Sequence, residues 1–233
     1  MSKYKKRLTL KLTPRQTLWG WIYLLCDLFV LPVLLSTLNG LLPRPLSGAG
    51  LNFLFFCLNF LAILLIFHGF LAKSLETVGR RFWDFLQAVV LAFVAYWVCS
   101  TLLSYGITAL FPWFHNVNDA GIAEMAGKHF WLMAIGTVLL VPPVEECLYR
   151  GLIFLPLQGR SRFLAYSLST ACFCLIHVMA YIGTYDPLTL TLCLIQYIPA
   201  GIWLAWAYEK SGTIFAPILM HAAINAISIY ALR

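Results

Sequence analysis

Residues 141–151 read Val-Pro-Pro-Val-Glu-Glu-Cys-Leu-Tyr-Arg-Gly and place Glu145, Glu146 and Arg150 inside an otherwise apolar segment. The flanking residues 133–140 and 152–157 predict a membrane-spanning helix. Each ionisable group at mid-membrane costs about 2.5–3.5 kcal/mol, so three of them this close together must pair with other groups or serve a function. The segment therefore predicts a helical membrane protein with chemistry in its interior.

The composition also indicates an integral membrane protein. The 233 residues are 61% hydrophobic and only 11% charged, whereas soluble domains average about 25% charged residues. Apolar runs predict an all-α polytopic bundle of about seven spans (six to eight), at residues 17–42, 51–72, 86–111, 130–157, 163–182, 188–208 and 213–232. Residues 76–85 are predicted to lie along the membrane interface.

Lysine and arginine residues predict the orientation of the bundle. Twelve of them lie before span one or in the loops on that side, and only Arg44, Lys128 and Arg233 lie on the other. The positive-inside rule then places the N-terminus in the cytoplasm. We predict a basic cytoplasmic segment at residues 1–16 and one membrane domain at 17–233. The net charge of +7 indicates attraction to anionic lipid rather than to nucleic acid.

Two further spans carry polar side chains that can meet the glutamates. His177 lies in span five, and His221 and Asn225 share one face of span seven because they are four residues apart. At about 1.5 Å per residue, these groups and Glu145 lie about 12–21 Å from the cytoplasmic ends of their spans. We expect them to meet near the midplane.

Pro142 and Pro143 predict a disturbance just before the glutamates. Two prolines remove two amide donors and crowd the preceding turn, so span four is expected to kink or to restart here. After a restart, Glu145 and Glu146 would lie in the first turn of a half-helix, where the helix dipole favours carboxylates. A broken helix at this depth is tolerated where it lines a wet cavity.

These side-chain types suit hydrolysis. A carboxylate beside an imidazole can hold a water molecule and take its proton. A second imidazole and a carboxamide can donate to the oxyanion that develops, and an arginine can keep the second carboxylate ionised. Cys147 projects about 100° away from Glu146 and is interpreted as packing. The seven cysteines have no framework or zinc-finger spacing and are predicted to be free thiols.

Three motifs, in this order, resemble the CPBP family, which comprises the CAAX prenyl endopeptidases and the bacterial bacteriocin-processing and self-immunity (Abi) proteins. The motifs are Glu145-Glu146-x-x-x-Arg150, Phe173-x-x-x-His177 and His221-x-x-x-Asn225, and the lead-in Gly-Thr-Ile-Phe-Ala-Pro at 212–217 is also typical. The resemblance covers about residues 130–229, which would form the catalytic core.

The resemblance implies a role for each motif residue. Glu145 would be the general base, His177 would share its water, and His221 with Asn225 would form the oxyanion hole. Glu146 and Arg150 would support the site, and the remaining motif residue, Phe173, would pack one turn from the first histidine. The family is implied to need no metal or other cofactor, although a Glu/His/His zinc site is a geometric alternative.

The implied substrate is a membrane-embedded or lipidated peptide, cut within a multi-pass protein of the bacterial plasma membrane. A CAAX enzyme needs a cleft that faces the cytoplasm, whereas compact bacterial members are linked to small peptides. Two alternatives remain open: a non-proteolytic immunity or regulatory partner that keeps the motifs, and a proton relay through Glu145 and Glu146, which the lack of repeats disfavours. Four polar residues of the first two spans are interpreted as structural or substrate-channel groups: Asp27, Asn52, Asn59 and His68.

Overall fold

Seven helices joined by short loops form the protein, described here by a computed structural model that covers residues 8–231. They are α1 (Pro14–Gly40), α2 (Gly48–Arg80), α3 (Phe82–Leu110), α4 (Val117–Gln158), α5 (Arg162–Met179), α6 (Pro187–Ser211) and α7 (Phe215–Ala231). The first six are long and apolar enough to cross a membrane, and α7 is a shorter apolar helix. The predicted all-α polytopic bundle is confirmed. Residues 1–7 of the predicted basic segment, and Arg233, lie outside the described residues.

Side-chain caps fix where several helices begin. Thr13 accepts from the backbone N–H of Gln16, whose side chain accepts in return from the Thr13 N–H, so α1 starts with a capping box. Ser47 caps α2 and Asp186 caps α6, in each case through a side-chain oxygen that accepts from the backbone of the first turn. Hydrogen bonds from Thr189 and from two backbone amides keep the pKa of the exposed Asp186 carboxyl below its usual value.

The residues predicted to lie along the interface form no separate element. Helix α2 continues to Arg80 and α3 begins at Phe82, so residues 76–85 are divided between two helix ends. The break is a single residue, Arg81, whose φ of −134° and ψ of 40° are not helical. Its guanidinium then binds Asp84 in the first turn of α3 at 2.7 Å. A single non-helical residue thus separates the two helices.

Helix α4 is longer than predicted and differs from the expected half-helix. It bends at His129, whose φ of −142° and ψ of 58° are not helical, and the predicted start of the span at residue 130 coincides with this bend. Of the two disturbances expected at Pro142 and Pro143, a kink or a restart, the restart does not occur, so the predicted half-helix was wrong. Instead, π-helical turns lie on both sides of the prolines, at Gly136–Leu140 and Cys147–Phe154.

The first π-helical turn explains how two prolines fit inside α4. A proline ring clashes with the carbonyl four residues before it, and a wider turn gives that carbonyl room. The Val141 N–H reaches back five residues to the Gly136 carbonyl. The Thr137 carbonyl therefore has no backbone donor, because its α-helical donor is taken and its π-helical donor would be Pro142, which has no N–H. A side chain must satisfy it.

Helix α6 is the centre of the packing. It lies against α3, α5 and α7, while α7 also packs on the first π-helical turn of α4. Gly201 of α6 allows a close approach: a Cβ there would lie 2.5 Å from Cγ2 of Thr170 on α5. Large apolar side chains that face outward cover most helices, as expected for contact with lipid.

Replacement of Gly201 by alanine should push α5 and α6 apart. We expect Gly201→Ala to lower the stability by about 1–3 kcal/mol, as overpacking typically does. Gly106→Ala is the matched control, because Gly106 lies in α3 and an added methyl group there would meet nothing within 4 Å. Thermal unfolding in detergent measures both variants, and equal melting temperatures would show that the contact of Gly201 tolerates a methyl group.

Candidate active site

A buried ion pair joins two turns of α4 and connects them to α7. Glu146 and Arg150 have fully buried side chains, and Nη1 of Arg150 lies 3.1 Å from Oε1 of Glu146. Nδ1 of His221 lies 2.9 Å from the same oxygen. Because a carboxylate oxygen can only accept, Nδ1 carries the hydrogen and Nε2 is left for the cavity. The second oxygen of Glu146 has no hydrogen-bond partner among residues 8–231.

Arg150 also binds groups outside its own helix. Its Nη2 donates to the Gly201 carbonyl of α6 at 3.1 Å, and its guanidinium lies 4.5 Å from the centre of the Phe173 ring. The exposed fraction of Phe173 is 2%, and its ring also contacts His177 at 4.7 Å and His221 at 5.8 Å between centroids. Phe173 is thus buried, and its ring contacts the guanidinium of the ion pair and both imidazoles.

Glu145 faces a different environment from its neighbour. It lines a cavity of about 790 Å³ to which all seven helices contribute. Its Oε2 atom is buried and has no hydrogen-bond partner within the described part of the chain. His177, His221 and Asn225 line the same cavity, whereas Glu146 and Arg150 do not. The three motifs therefore converge, and of the two glutamates only Glu145 lines the cavity.

His177 is oriented by its own helix and by α6. Its Nδ1 lies 2.8 Å from the Phe173 carbonyl, which can only accept, so Nδ1 carries the hydrogen and Nε2 of the neutral ring is an acceptor. The Tyr197 ring lies against it, with centroids 4.1 Å apart and a tilt of 30°. The Tyr197 hydroxyl in turn contacts Asn118 and Asp119 at the start of α4. Packing and hydrogen bonds thus hold the imidazole from two sides.

Asn225 satisfies the carbonyl that the prolines leave free. Its Nδ2 donates to the Thr137 carbonyl at 2.8 Å. A carboxamide nitrogen has two hydrogens, so one remains for the cavity. The hydrogen bond joins α7 to the π-helical turn of α4 and fixes the amide in the cavity that Glu145 also lines. No local sequence pattern signals this contact, because it depends on which backbone carbonyl the π-helical turn leaves without a donor.

The polar residues of the first two spans fall into two groups. Asp27, Asn52 and Asn59 line the cavity, as one of the two interpretations of them proposed. His68 does not line it: the residue is exposed on α2, and its Nδ1 contacts the Leu65 carbonyl. Sequence reasoning also missed four residues that contact the site from outside the motifs, namely Asp119, Thr137, Tyr197 and Gly201.

A Glu/His/His zinc site is the alternative arrangement of the candidate site residues. Among residues 8–231, no group of three or more His, Cys, Asp or Glu side chains lies close enough together to hold a metal ion. His221 already binds Glu146 through Nδ1, and His177 binds a backbone carbonyl. The described side chains therefore do not form the Glu/His/His ligand set.

The fold and the site together define a polytopic α-helical membrane protein with an internal cavity whose lining includes two imidazoles, a carboxamide and a carboxylate with an unpartnered oxygen. A family model described as type II CAAX prenyl endopeptidase Rce1-like matches residues 127–227, which contain all three motifs. The resemblance to the CPBP family that the motifs carry is therefore confirmed over these residues. Comparisons with curated proteins and with solved structures found no significant match.

Loss of the Asn225 side chain should destabilise α4. Asn225→Leu keeps much of the volume but leaves the Thr137 carbonyl without a donor, which typically costs about 1–3 kcal/mol. Asn52→Leu is the matched control, since the Asn52 amide in the same cavity donates only to the weakly accepting sulfur of Met125. Thermal unfolding in detergent should show a larger loss for Asn225→Leu, and a larger loss for Asn52→Leu would contradict the assignment.

Proposed function

We propose that the protein is an intramembrane endopeptidase that hydrolyses a peptide bond in a membrane-associated peptide or lipidated protein, without a metal ion. The observation that carries this proposal is the carboxylate of Glu145, which has an unpartnered buried oxygen in a cavity shared with two imidazoles and a carboxamide. Glu145 lines the cavity and can take a proton from a water molecule there, whereas Glu146 does not line it and is paired with Arg150. The family match supports the same reaction class.

The proposed reaction begins with a water molecule held between Glu145 and Nε2 of His177. Glu145 takes a proton as the water oxygen attacks the carbonyl carbon, and a tetrahedral oxyanion forms. The second hydrogen of Asn225 Nδ2 would donate to that oxyanion, together with Nε2 of His221. Glu145 would then give its proton to the amide nitrogen, the C–N bond would break, and an acid and an amine would leave.

Glu146 and Arg150 do not line the cavity and would act through His221, which does. Glu146 accepts from Nδ1 of His221 and so fixes which ring nitrogen points at the substrate. For His221 to donate through Nε2, the ring must carry both hydrogens, with its positive charge beside the Glu146 carboxylate. Arg150 keeps that carboxylate in place at 3.1 Å. Both residues are proposed as positioning residues.

The location of the cavity bears on the substrate. Its lining reaches Asn116, at the start of α4, and Tyr181, just after α5, while no lysine or arginine among residues 8–231 lines it. Both positions lie at the end of the bundle opposite the start of α1, and the predicted orientation makes that end extracytoplasmic. A prenylated CAAX chain would approach from the cytoplasm, so we propose a substrate that enters from the outer side.

Removal of the proposed base should abolish turnover without unfolding the protein. Glu145→Gln keeps the size and hydrogen bonding of the side chain but cannot take a proton, so cleavage should fall by at least about 10²-fold, as for loss of a general base. Comparative peptidomics of cells with native protein, Glu145→Gln or the exposed control Glu124→Gln would detect the products. Products that persist in Glu145→Gln at the native level would show that Glu145 is not the base.

Metal independence is tested on the purified protein. Elemental analysis should find no stoichiometric zinc, and strong chelators should leave cleavage unchanged, because the proposed water activation uses side chains alone. Zinc at about one ion per chain, with activity that chelators remove, would overturn the metal-free mechanism and give one glutamate and both histidines ligand roles. The Glu145→Gln sample provides the control, because it should contain as little zinc as the native protein.

The proposed side of entry is tested by thiol labelling of intact cells. A membrane-impermeant maleimide should label Tyr181→Cys, near the cavity mouth, and should leave Arg160→Cys unlabelled until the membrane is permeabilised. The native protein is the control, since its seven cysteines all lie within helices. Labelling of Arg160→Cys alone in intact cells would invert the predicted orientation and would make the cavity accessible from the cytoplasm.

A further inference from the structure

A second carboxylate, outside the matched family region, faces the proposed catalytic cavity. Asp27 lies near the middle of α1, its exposed fraction is 9%, and it lines the same cavity as Glu145. Its Oδ1 atom is buried and has no hydrogen-bond partner among residues 8–231. A buried carboxylate oxygen that is left unpaired is costly, which indicates that it meets a group from outside the chain.

The local structure holds Asp27 in place. It lies in a π-helical turn, Cys26–Val30, of the kind that often occurs at functional positions of long helices. The Asn59 side chain of α2 lies next to the Asp27 carboxyl, and the Tyr23 hydroxyl donates to Oδ1 of Asn59. The neighbouring Asn59 and Tyr23 are thus paired with each other, while Oδ1 of Asp27 has no partner in the described chain.

The charges around the cavity show which kind of group would pair with Asp27. Three carboxylates line the cavity, those of Asp27, Asp119 and Glu145, and no lysine or arginine of the described chain does so. The Asp119 carboxylate already accepts from the Tyr197 hydroxyl at 3.2 Å. The two lining histidines use Nδ1 for a backbone carbonyl and for a carboxylate of the chain itself. With three carboxylates and no lysine or arginine in the lining, the position beside Asp27 favours a cation over a C-terminal carboxylate.

We propose that Asp27 is a binding subsite for a positively charged group of the substrate, either a lysine or arginine side chain or a free amino group. The preferred substrate is then a cationic peptide segment and not a chain that ends in a free carboxylate beside the scissile bond. That the bound peptide is also cut rests on the proposed function. The charge preference itself is a property of binding and can be measured without cleavage.

The test uses two apolar peptides with blocked termini that differ only in one lysine or norleucine at the centre. Norleucine keeps most of the lysine stem and removes the charge. Fluorescence anisotropy in a neutral maltoside detergent gives the affinity of each peptide for the purified full-length protein. We expect the native protein to bind the lysine peptide at least about tenfold more tightly, the low end of what close charge pairs contribute.

Two variants separate the subsite from general charge effects. Asp27→Asn can keep the hydrogen bonding of the side chain and loses the charge. The ratio of its affinities for the lysine and norleucine peptides should therefore fall to within about twofold of one, while its affinity for the norleucine peptide stays near that of the native protein. Asp84→Asn is the matched control, because Asp84 is paired with Arg81 outside the cavity and should leave the preference intact. A lysine preference that survives in Asp27→Asn would overturn the proposal.

A third peptide keeps the test decisive if Asp27→Asn does not fold. The norleucine peptide with a free C-terminal carboxylate should bind the native protein more weakly than the other two, and the reverse order would refute the subsite. Incubation of the same peptides followed by mass spectrometry reports on cleavage separately. Binding with lysine preference but without cleavage would reject the peptidase proposal alone, and cleavage without charge preference would reject the subsite alone.

Discussion

The buried pair of Glu146 and Arg150 is the interaction on which the rest of the site depends. Both side chains are fully buried, and together they reach α7 through His221, α6 through the Gly201 carbonyl and α5 through the Phe173 ring. Removal of one partner from such a pair typically costs about 3–5 kcal/mol, because the other charge stays buried and unpaired. The pair therefore holds four helices around one cavity.

A second constraint comes from the backbone of α4. Pro142 lies just after a π-helical turn, which leaves the Thr137 carbonyl without a backbone donor, and Asn225 of α7 donates to it. The same turn therefore accommodates the prolines and positions the amide proposed to stabilise an oxyanion. Glu145 and Glu146 follow directly on the helix, one facing the cavity and one facing the ion pair. Adjacent residues of the same type thus acquire different roles from the geometry of one helix.

The sequence predicted the class of fold and the convergence of the motifs, because hydrophobic runs and i, i+4 spacing are local properties. It predicted the pairing of Glu146 with Arg150 for the same reason. It did not predict that α4 passes through Pro142 and Pro143 without a restart, since the compensating π-helical turn depends on packing against α7. The sequence also did not predict the contact between Tyr197 and Asp119, because it joins segments about 80 residues apart. Long-range partners carry no signal in a single sequence.

The central claim is that Glu146 and Arg150 act as one buried unit, and a double-mutant cycle tests it most directly. Thermal unfolding in detergent would be measured for Glu146→Gln, Arg150→Met and the double variant. Each single variant should be destabilised, and the double variant should lose less than the sum of the two by about 0.5–3 kcal/mol, the range for residues in contact. Losses that simply add would show that the two charges are independent and would contradict the claim.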